Sequence, residues 1–483
     1  MILVILSPVN ATEFNETTDN NLTINFNTSH DILKSNSGDF STLYDEINSS
    51  SQSKSLKLTK DYIFDSQNDL KYTEGIPIEI DNLVIDGNGH KIDADKKSIV
   101  FNIKSNNVLL KNIIITNGTS NYHGGAINWI GTNATLINST FKNSEAAQSG
   151  GAVFFRNTAT VKDCKFIDNQ ANFGGAINFD YISTVINSSF KNNFAKLLGG
   201  GINSYQEINL LNSIFINNSA SDGGGIYSNI YGIIENTYFN ENYAIGYGGA
   251  ITSANTIKIR NSTFTNNIGK YAGAICFKGD GYLNNSFFNE NSADLGGAIM
   301  ASGYDFETSY CEFYHNTAMK GASLYCDGKN MKIKDTIFKN VNSSLNSEIY
   351  SEAQNSILNN LTYQNITKKS ESAQNEIKNN LLNKPIKTNS KKKTTIIAKS
   401  KTFKNSIKVK KYFVKLKSGK KILKNKKVTL KIKGKTYRLK TNKNGKALFK
   451  IKLTKKGIFK ALIKFNGDKT YYSSKKTIKI KIK

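Results

Sequence analysis

The sequence predicts an all-β fold, a long right-handed parallel β-helix followed by a small Ig-like β-sandwich, on three observations. Aliphatic residues of a Gly-Gly-Ala-Ile motif recur at Ile127, Val153, Ile177, Ile202, Ile226, Ile251, Ile275, Ile299 and Leu324, in steps of 24 to 26 residues. Phenylalanine recurs in the same rhythm at Phe141, Phe166, Phe190, Phe215, Phe239, Phe264, Phe288, Phe313 and Phe338. Both lanes then stop, and residues 391–483 carry 35 Lys+Arg against one acid, Asp468, whereas the preceding 390 residues hold 30 basic and 36 acidic groups. A strongly basic, separate domain therefore ends the chain.

The lanes fix the solenoid. In a parallel coil, equivalent residues of successive turns stack about 4.8 Å apart, so Phe on Phe and Ile on Ile bury continuous apolar columns. Three residues after each Phe comes Asn169, Asn193, Asn218, Asn242, Asn267, Asn291 or Asn316. Stacked asparagines can bond one another and satisfy buried polar groups at a bend. Asn218 is therefore expected inside and Asn217 outside, where replacement is cheap. A second asparagine lane, three before each Phe, includes the glycosylation sequons of Asn138, Asn187, Asn261 and Asn360. These amides are also expected to be buried, which leaves Asn10, Asn15, Asn21 and Asn27 as the accessible acceptors. The repeat has no 3.6-residue periodicity, which excludes the helical repeat families.

The remaining segments follow. Residues 1–37 read as a partial secretory signal, with a small-x-Ala pattern before Thr12, and a polar spacer. Residues 38–78 form the N-terminal cap, where Phe40, Leu43, Tyr44 and Ile47 recur at helical spacing after Asp39, a candidate N-cap, with a strand near 56–58. The solenoid is placed at 79–365, about 11 turns of 24–25 residues. A Lys-rich linker takes 366–393. Residues 394–483 carry alternating strands at 427–432, 447–453, 461–465 and 477–483 with Gly-marked turns between them, the spacing of an Ig-like sandwich.

Gly174-Gly175-Ala176-Ile177 with Phe190-Lys191-Asn192-Asn193 resembles the repeats of chlamydial polymorphic outer-membrane proteins. The whole layout, with Val84-Ile85-Asp86-Gly87-Asn88-Gly89-His90 ahead of the repeats, is similar to adhesin-like β-helix proteins of methanogenic archaea. The tail, with Thr441-Asn442-Lys443-Asn444-Gly445-Lys446-Ala447, looks like the Ig-like modules that end many of them. The resemblance covers roughly residues 38–483 and implies surface display and adhesion; fold is better identified by it than function.

Candidate sites are sparse. β-Helices also host polysaccharide lyases and glycoside hydrolases, which need converging carboxylates. The chain holds no Asn-Thr-Asp, Asp-Asp or Gly-His-Gly cluster, and Asp180, Glu207 and Asp222 lack acidic partners one turn on. Glu290 and His315, one turn apart two residues after Phe, are the best charged pair, and an exposed ion pair is their plainest role. Asp86, Asn88, His90, Asp93 and Asp95 could be imagined around calcium, but Asp-Gly-Asn-Gly is a turn signal in itself. Trp129, Phe155 and Phe179 share parity with the inward aliphatics, so they belong in the core before they belong to a sugar platform. The four cysteines fall too far apart to pair and are expected as free thiols. No metal and no cofactor is expected, and no run reaches the length of a membrane span.

The expectation is an extracellular, monomeric surface or wall protein, non-enzymatic, whose solenoid meets cell-wall or partner-cell glycans. Its basic domain is expected to act as anchor or spacer, on an anionic wall polymer and without nucleic acid. The alternative is a carbohydrate-active β-helix enzyme.

Overall fold

Like residues stack on like residues along three parallel sheets. One sheet of 13 strands runs from Ser55–Lys57 to Asn355–Asn359, one of 12 from Ile76–Ile78 to Ile349–Ser351, and one of 13 from Tyr62–Ile63 to Thr362–Tyr363. The structure, a computed structural model, describes residues 37–339, 348–363, 394–419, 421–467, 471 and 474–483. The expected leader, the spacer asparagines and the linker lie outside them. The chain is an all-β solenoid of about 12 turns followed by a strand-rich sheet region. The coil starts upstream of residue 79, because Ser55–Lys57 already pairs in parallel with Val84–Asp86.

Inside, the phenylalanine lane is one continuous stack from Phe141 through Phe338 to Tyr363. Its rings lie 4.5–5.3 Å apart and within 15° of parallel. Trp129, Phe155 and Phe179 are buried in the same core, Phe155 stacked on Phe179 and Trp129 tilted against Phe155. Offset aromatic contacts of this kind add to the burial itself. Helix α1 (Phe40–Ser49) closes the N-terminal end, with Phe40, Leu43 and Ile47 turned inward. The Asp39 carboxylate accepts from the Thr42 amide at 2.7 Å, the capping bond its residue type suggested. A second carboxylate went unforeseen: buried Asp69 accepts from the amides of Phe40 and Ser41, both at 2.9 Å, and so takes up two more of the helix's free N–H groups.

Corners decide the rest of the sequence. Each turn leaves a strand through a residue at positive φ, and there are two such corners around each Phe. The first is Asn138, Asp163, Asn187, Asn212 or their equivalents; the second is Asn143, Asp168, Asn192, Asn217, Glu241 or Asn266. Asparagine tolerates the left-handed region better than other side chains carrying a Cβ. The lane three before Phe is therefore a corner lane, and here the expectation of buried amides fails. Asn138 and Asn187 are only half-buried, and Asn261 and Asn360 are exposed. They are nonetheless bonded along the edge, Asn138 to Asn112 at 2.7 Å and Asn187 to Asp163. The buried polar lane is the next residue, the small one: the Ser188 hydroxyl accepts from the Cys164 amide and the Ser213 hydroxyl from the Ser188 amide, each at 3.2 Å.

The lane three after Phe forms a ladder in the core. Asn193 Nδ2 donates to Asn218 Oδ1 at 2.9 Å, and Asn218 Nδ2 donates to Asn242 Oδ1 at 3.0 Å. The same pattern joins Asn169 to Asn193, Asn242 to Asn267, Asn267 to Asn291 and Asn291 to Asn316. After it the chain adds a fourth, seven-stranded sheet, from Thr119–Ser120 to Ile268–Tyr271, which the lanes did not announce.

The first glycine of each Gly-Gly pair stands at positive φ, and a Cβ at Gly174 would lie 2.1 Å from the Ile177 carbonyl oxygen. One turn breaks this rule, with Ala272 at φ +62. Ala272→Gly is expected to stabilise the solenoid by about 1 kcal/mol, since the left-handed cost of alanine outweighs the added freedom of the unfolded chain. A fall in the urea midpoint on making this change would contradict it.

All four cysteines are free and buried. Burial pushes the thiols of Cys164 and Cys276 up to about 12 and that of Cys311 to about 11. An aromatic disulfide reagent at neutral pH should accordingly titrate no thiol in the folded protein and four after unfolding. Prompt reaction of even one without denaturant would contradict the burial.

The basic region has its own core, in which Val414, Leu416 and Phe449 meet Val428, Leu430, Ile463 and Ile480. Four strands (Thr395–Ile397, Lys410–Ser418, Lys421–Ile422 and Lys446–Ile451) make one sheet. Five (Lys401–Phe403, Ser474–Ile482, Gly457–Phe465, Lys427–Ile432 and Lys435–Lys440) make the other. Lysines alternate with apolar residues, as in Lys479-Ile480-Lys481-Ile482, so each strand turns one face to water.

Candidate binding face

The middle residue of each strand in the 12-stranded sheet faces out of the coil, since its neighbours on either side point in. Strand pairing aligns Phe154, Asn178, Asn203, Tyr227, Thr252, Cys276, Met300, Tyr325 and Tyr350 in one outward lane. The lane has no constant residue, so recurrence in the sequence does not mark it.

Its N-terminal half is polar. Asn178 and Asn203 are fully buried, and Asn203 Nδ2 donates to Asn178 Oδ1 at 2.7 Å. Asn178 in turn donates to Asp180 at 2.9 Å, and Arg156 approaches the same carboxylate at 3.5 Å. Burial raises the pKa of Asp180, against the opposing pull of Asn178 and Arg156, and lowers that of His123. The His123 ring stacks on Phe154 with centroids 4.4 Å apart.

The C-terminal half is aromatic and cationic. Tyr247 lies tilted against Tyr271 at 5.0 Å and Tyr325 stacks on Tyr350 at 5.3 Å, around Ala272, Cys276 and Met300. Lys278 lies 4.1 Å over the Tyr247 ring and 3.3 Å from Asp222, and Lys320 lies 4.7 Å over Tyr350. Tyr350 also donates to Glu352 at 2.9 Å. Glu352 borders an open depression of about 480 Å³ shared with Ser302, Tyr304, Asp327 and Lys329, where Lys329 sits 4.5 Å over the exposed Tyr304 ring. Cys276, Met300 and Tyr325 are buried beneath this face, so what it offers a ligand is the exposed Tyr304 ring and the half-buried Tyr247, Tyr271 and Tyr350, edged by carboxylate and ammonium groups.

The residues singled out from sequence stand elsewhere. Glu290 and His315 occupy the second corner lane at φ +54 and +46. Among the described residues no hydrogen bond or ion pair joins them, which corrects the expected ion pair. That lane is selected for backbone conformation; its asparagines and aspartates bond one another in places, as Asn192 does to Asp168, but Glu290 and His315 do not meet. Asp86 and Asp93 terminate the two corner ladders, accepting from Asn112 at 2.8 Å and Asn117 at 2.9 Å. His90 is bonded to Asp61 at 2.9 Å. Asp86, Asn88, Asn112 and Asn138 border a second depression of about 490 Å³. Asn169, Asn193, Asn218, Asn242, Asn267, Asn291 and Asn316 lie inside the coil, out of reach of any ligand.

A family model for the Chlamydia polymorphic membrane protein repeat matches residues 212–229. That stretch takes in the corner at Asn212, the stacked Phe215, the ladder residue Asn218 and the Gly223-Gly224 pair. No curated protein matches the chain. The matched repeat and the solenoid fit a surface-exposed protein of adhesin-like or autotransporter type. Among the described residues no helix is long and apolar enough to cross a membrane.

Proposed function

We propose that this chain is a secreted, surface-displayed adhesin-like protein whose solenoid binds glycans without transforming them. The basic region, an Ig-like module in this reading, ties it to an anionic wall polymer. The observation that carries the glycan reading is the depression at Tyr304, Lys329 and Glu352, where Lys329 lies over an exposed aromatic ring. Sugar rings present apolar faces for stacking and hydroxyls for the polar rim. Of the acids on this face, Asp180 is held by Asn178 and Arg156 rather than set opposite a second carboxylate, whereas Asp327 and Glu352 border the depression together, and assay for sugar release decides between binding and catalysis there.

The test is a glycan array probed with the full chain and with a Tyr304→Ala, Lys329→Gln double variant. Retention of particular glycans, lost by about tenfold or more in the variant, is the expected result. Release of reducing or unsaturated sugar ends from a bound polysaccharide would instead move the protein to the enzymes.

A further inference from the structure

Both outer faces of the basic region repeat one pattern. In the four-stranded sheet Lys411 stands directly opposite Lys450, Phe413 opposite Leu448, and Lys415 opposite Lys446. In the five-stranded sheet Lys460 stands opposite Lys479, Leu462 opposite Thr477, and Lys464 opposite Lys475. Each face therefore carries two lysine pairs flanking a pair with an apolar side chain at its centre. The side chains of these lysines are exposed apart from the half-buried Lys415, and the apolar centres Phe413 and Leu462 are 55% and 38% exposed. The two lysine pairs lie four positions apart on each strand, about 13 Å along extended backbone.

Like charges directly across a ladder oppose folding. Here they recur at equivalent places on two unrelated strand pairs, and the described residues of this region include no Asp or Glu to offset them. A surface that tolerates this repulsion twice, around an exposed apolar spot, is complementary to a polyanion that brings charges on both sides of a flat apolar unit. Anionic polysaccharide has that chemistry: a sugar ring for Phe413 or Leu462, and carboxylates for the lysine pairs. The composition points the same way, since Arg438 is the single arginine among the 35 basic groups. Arginine is the residue suited to bidentate phosphate recognition, whereas lysine serves as a hydrated point charge.

We infer that the basic region is a two-faced cross-linker that holds one strand of anionic polysaccharide on each sheet. This rests on the reading of that region as an anchor and goes beyond it, because an anchor needs one face and a cross-linker two. Sheets in a sandwich pack about 10 Å apart, so two polymer strands gripped from opposite sides are brought side by side without touching.

The experiment uses the full chain with polygalacturonate, a short oligogalacturonide and neutral dextran. Two four-site variants remove one face each: Lys411, Lys415, Lys446 and Lys450 to Gln, or Lys460, Lys464, Lys475 and Lys479 to Gln. An eight-site variant removes both and gives the solenoid's own contribution. Relative to that baseline, the native chain should bind two oligomers, and each one-face variant a single oligomer at similar affinity. Turbidity with long polymer should pass through a maximum as the polymer-to-protein ratio rises, and both one-face variants should abolish the maximum. With about three anionic groups engaged per face, affinity should fall roughly 20- to 40-fold between 50 and 200 mM salt. Thermal unfolding of the basic region should be unchanged or raised in each variant, since repulsion is removed.

One oligomer per native chain would overturn cross-linking and leave the anchor standing. Binding no better than that of the eight-site variant would overturn both. Tighter retention of duplex DNA than of polygalacturonate at equal charge would assign the faces to nucleic acid and end the inference.

Discussion

Asn218→Leu is expected to cost at least about 3 kcal/mol and to open the solenoid locally, whereas Asn217→Leu should cost about 1–2 kcal/mol. The Asn218 carbonyl oxygen accepts from both the backbone amide and the side chain of Asn193, at 3.0 and 2.9 Å. Its amide nitrogen donates to Asn242 and to the Phe190 carbonyl, each at 3.0 Å. A leucine there strands at least three buried polar groups, each worth about 1–3 kcal/mol. Asn217 is exposed, at φ +52, and its side chain only meets Asn192 at 3.0 Å. Its substitution is therefore not free, as its exposure alone suggested; the cost is that of a leucine forced into a left-handed corner. Asn217→Gly should restore near-native stability while Asn218→Gly should not. Hydrogen exchange would localise the first effect to the turns around residues 193–242, because solenoid stability is a sum of neighbour terms. Equal loss of protection in the two leucine variants would show that the ladder is not buried.

That pair of residues also shows how far the sequence could be read. Asn217 and Asn218 are identical letters in an Asn-Asn step, and only the strict recurrence of the second separated them. Lanes of constant identity were legible because stacking demands like on like: Phe215 on Phe239, Ile226 on Ile251. Backbone conformation was not legible in the same way. Asparagine is chosen at Asn138 and Asn187 for its tolerance of positive φ and at Asn193 for its amide, so one residue type carries two meanings. The burial wrongly expected of Asn138 belonged to its neighbour Ser139. The outward lane stayed hidden for the opposite reason. Tyr325, Met300 and Cys276 share a place but no identity, and recurrence is blind to such a lane although strand alternation from Ile275, Ile299 and Leu324 would have located it.

In the basic region, Lys410→Met is expected to destabilise its two sheets by about 3 kcal/mol while leaving the solenoid's unfolding transition in place. Lys410 is fully buried despite its charge. Its ammonium group donates to the carbonyl oxygens of Ile407 and Leu453, both at 2.6 Å, and reaches that of Asn405 at 3.5 Å. Methionine matches the length and polarity of the stem but leaves two closely bonded carbonyls without a donor, at about 1–3 kcal/mol each. Neighbouring Lys411 is exposed, and Lys411→Met is the matched control, with a change within about 0.5 kcal/mol. Calorimetry on the full chain resolves the two transitions. A Lys410→Met protein as stable as its control would mean that those carbonyls find other donors.

The asparagine ladder has one further property, its uniform direction. From Asn169 to Asn291 each side chain donates to the asparagine of the next turn, so the amide seam between two turns is the same at every step. Removing residues 193–217 would set Asn218 below Asn169 in the place Asn193 held, with ring and amide both matched. Length in such a protein is thus an integer variable, open to unequal recombination between repeats. A lineage can lengthen or shorten the solenoid in steps of about 4.8 Å with the ring and amide lanes still matched, and only the turn-specific outer contacts left to adjust.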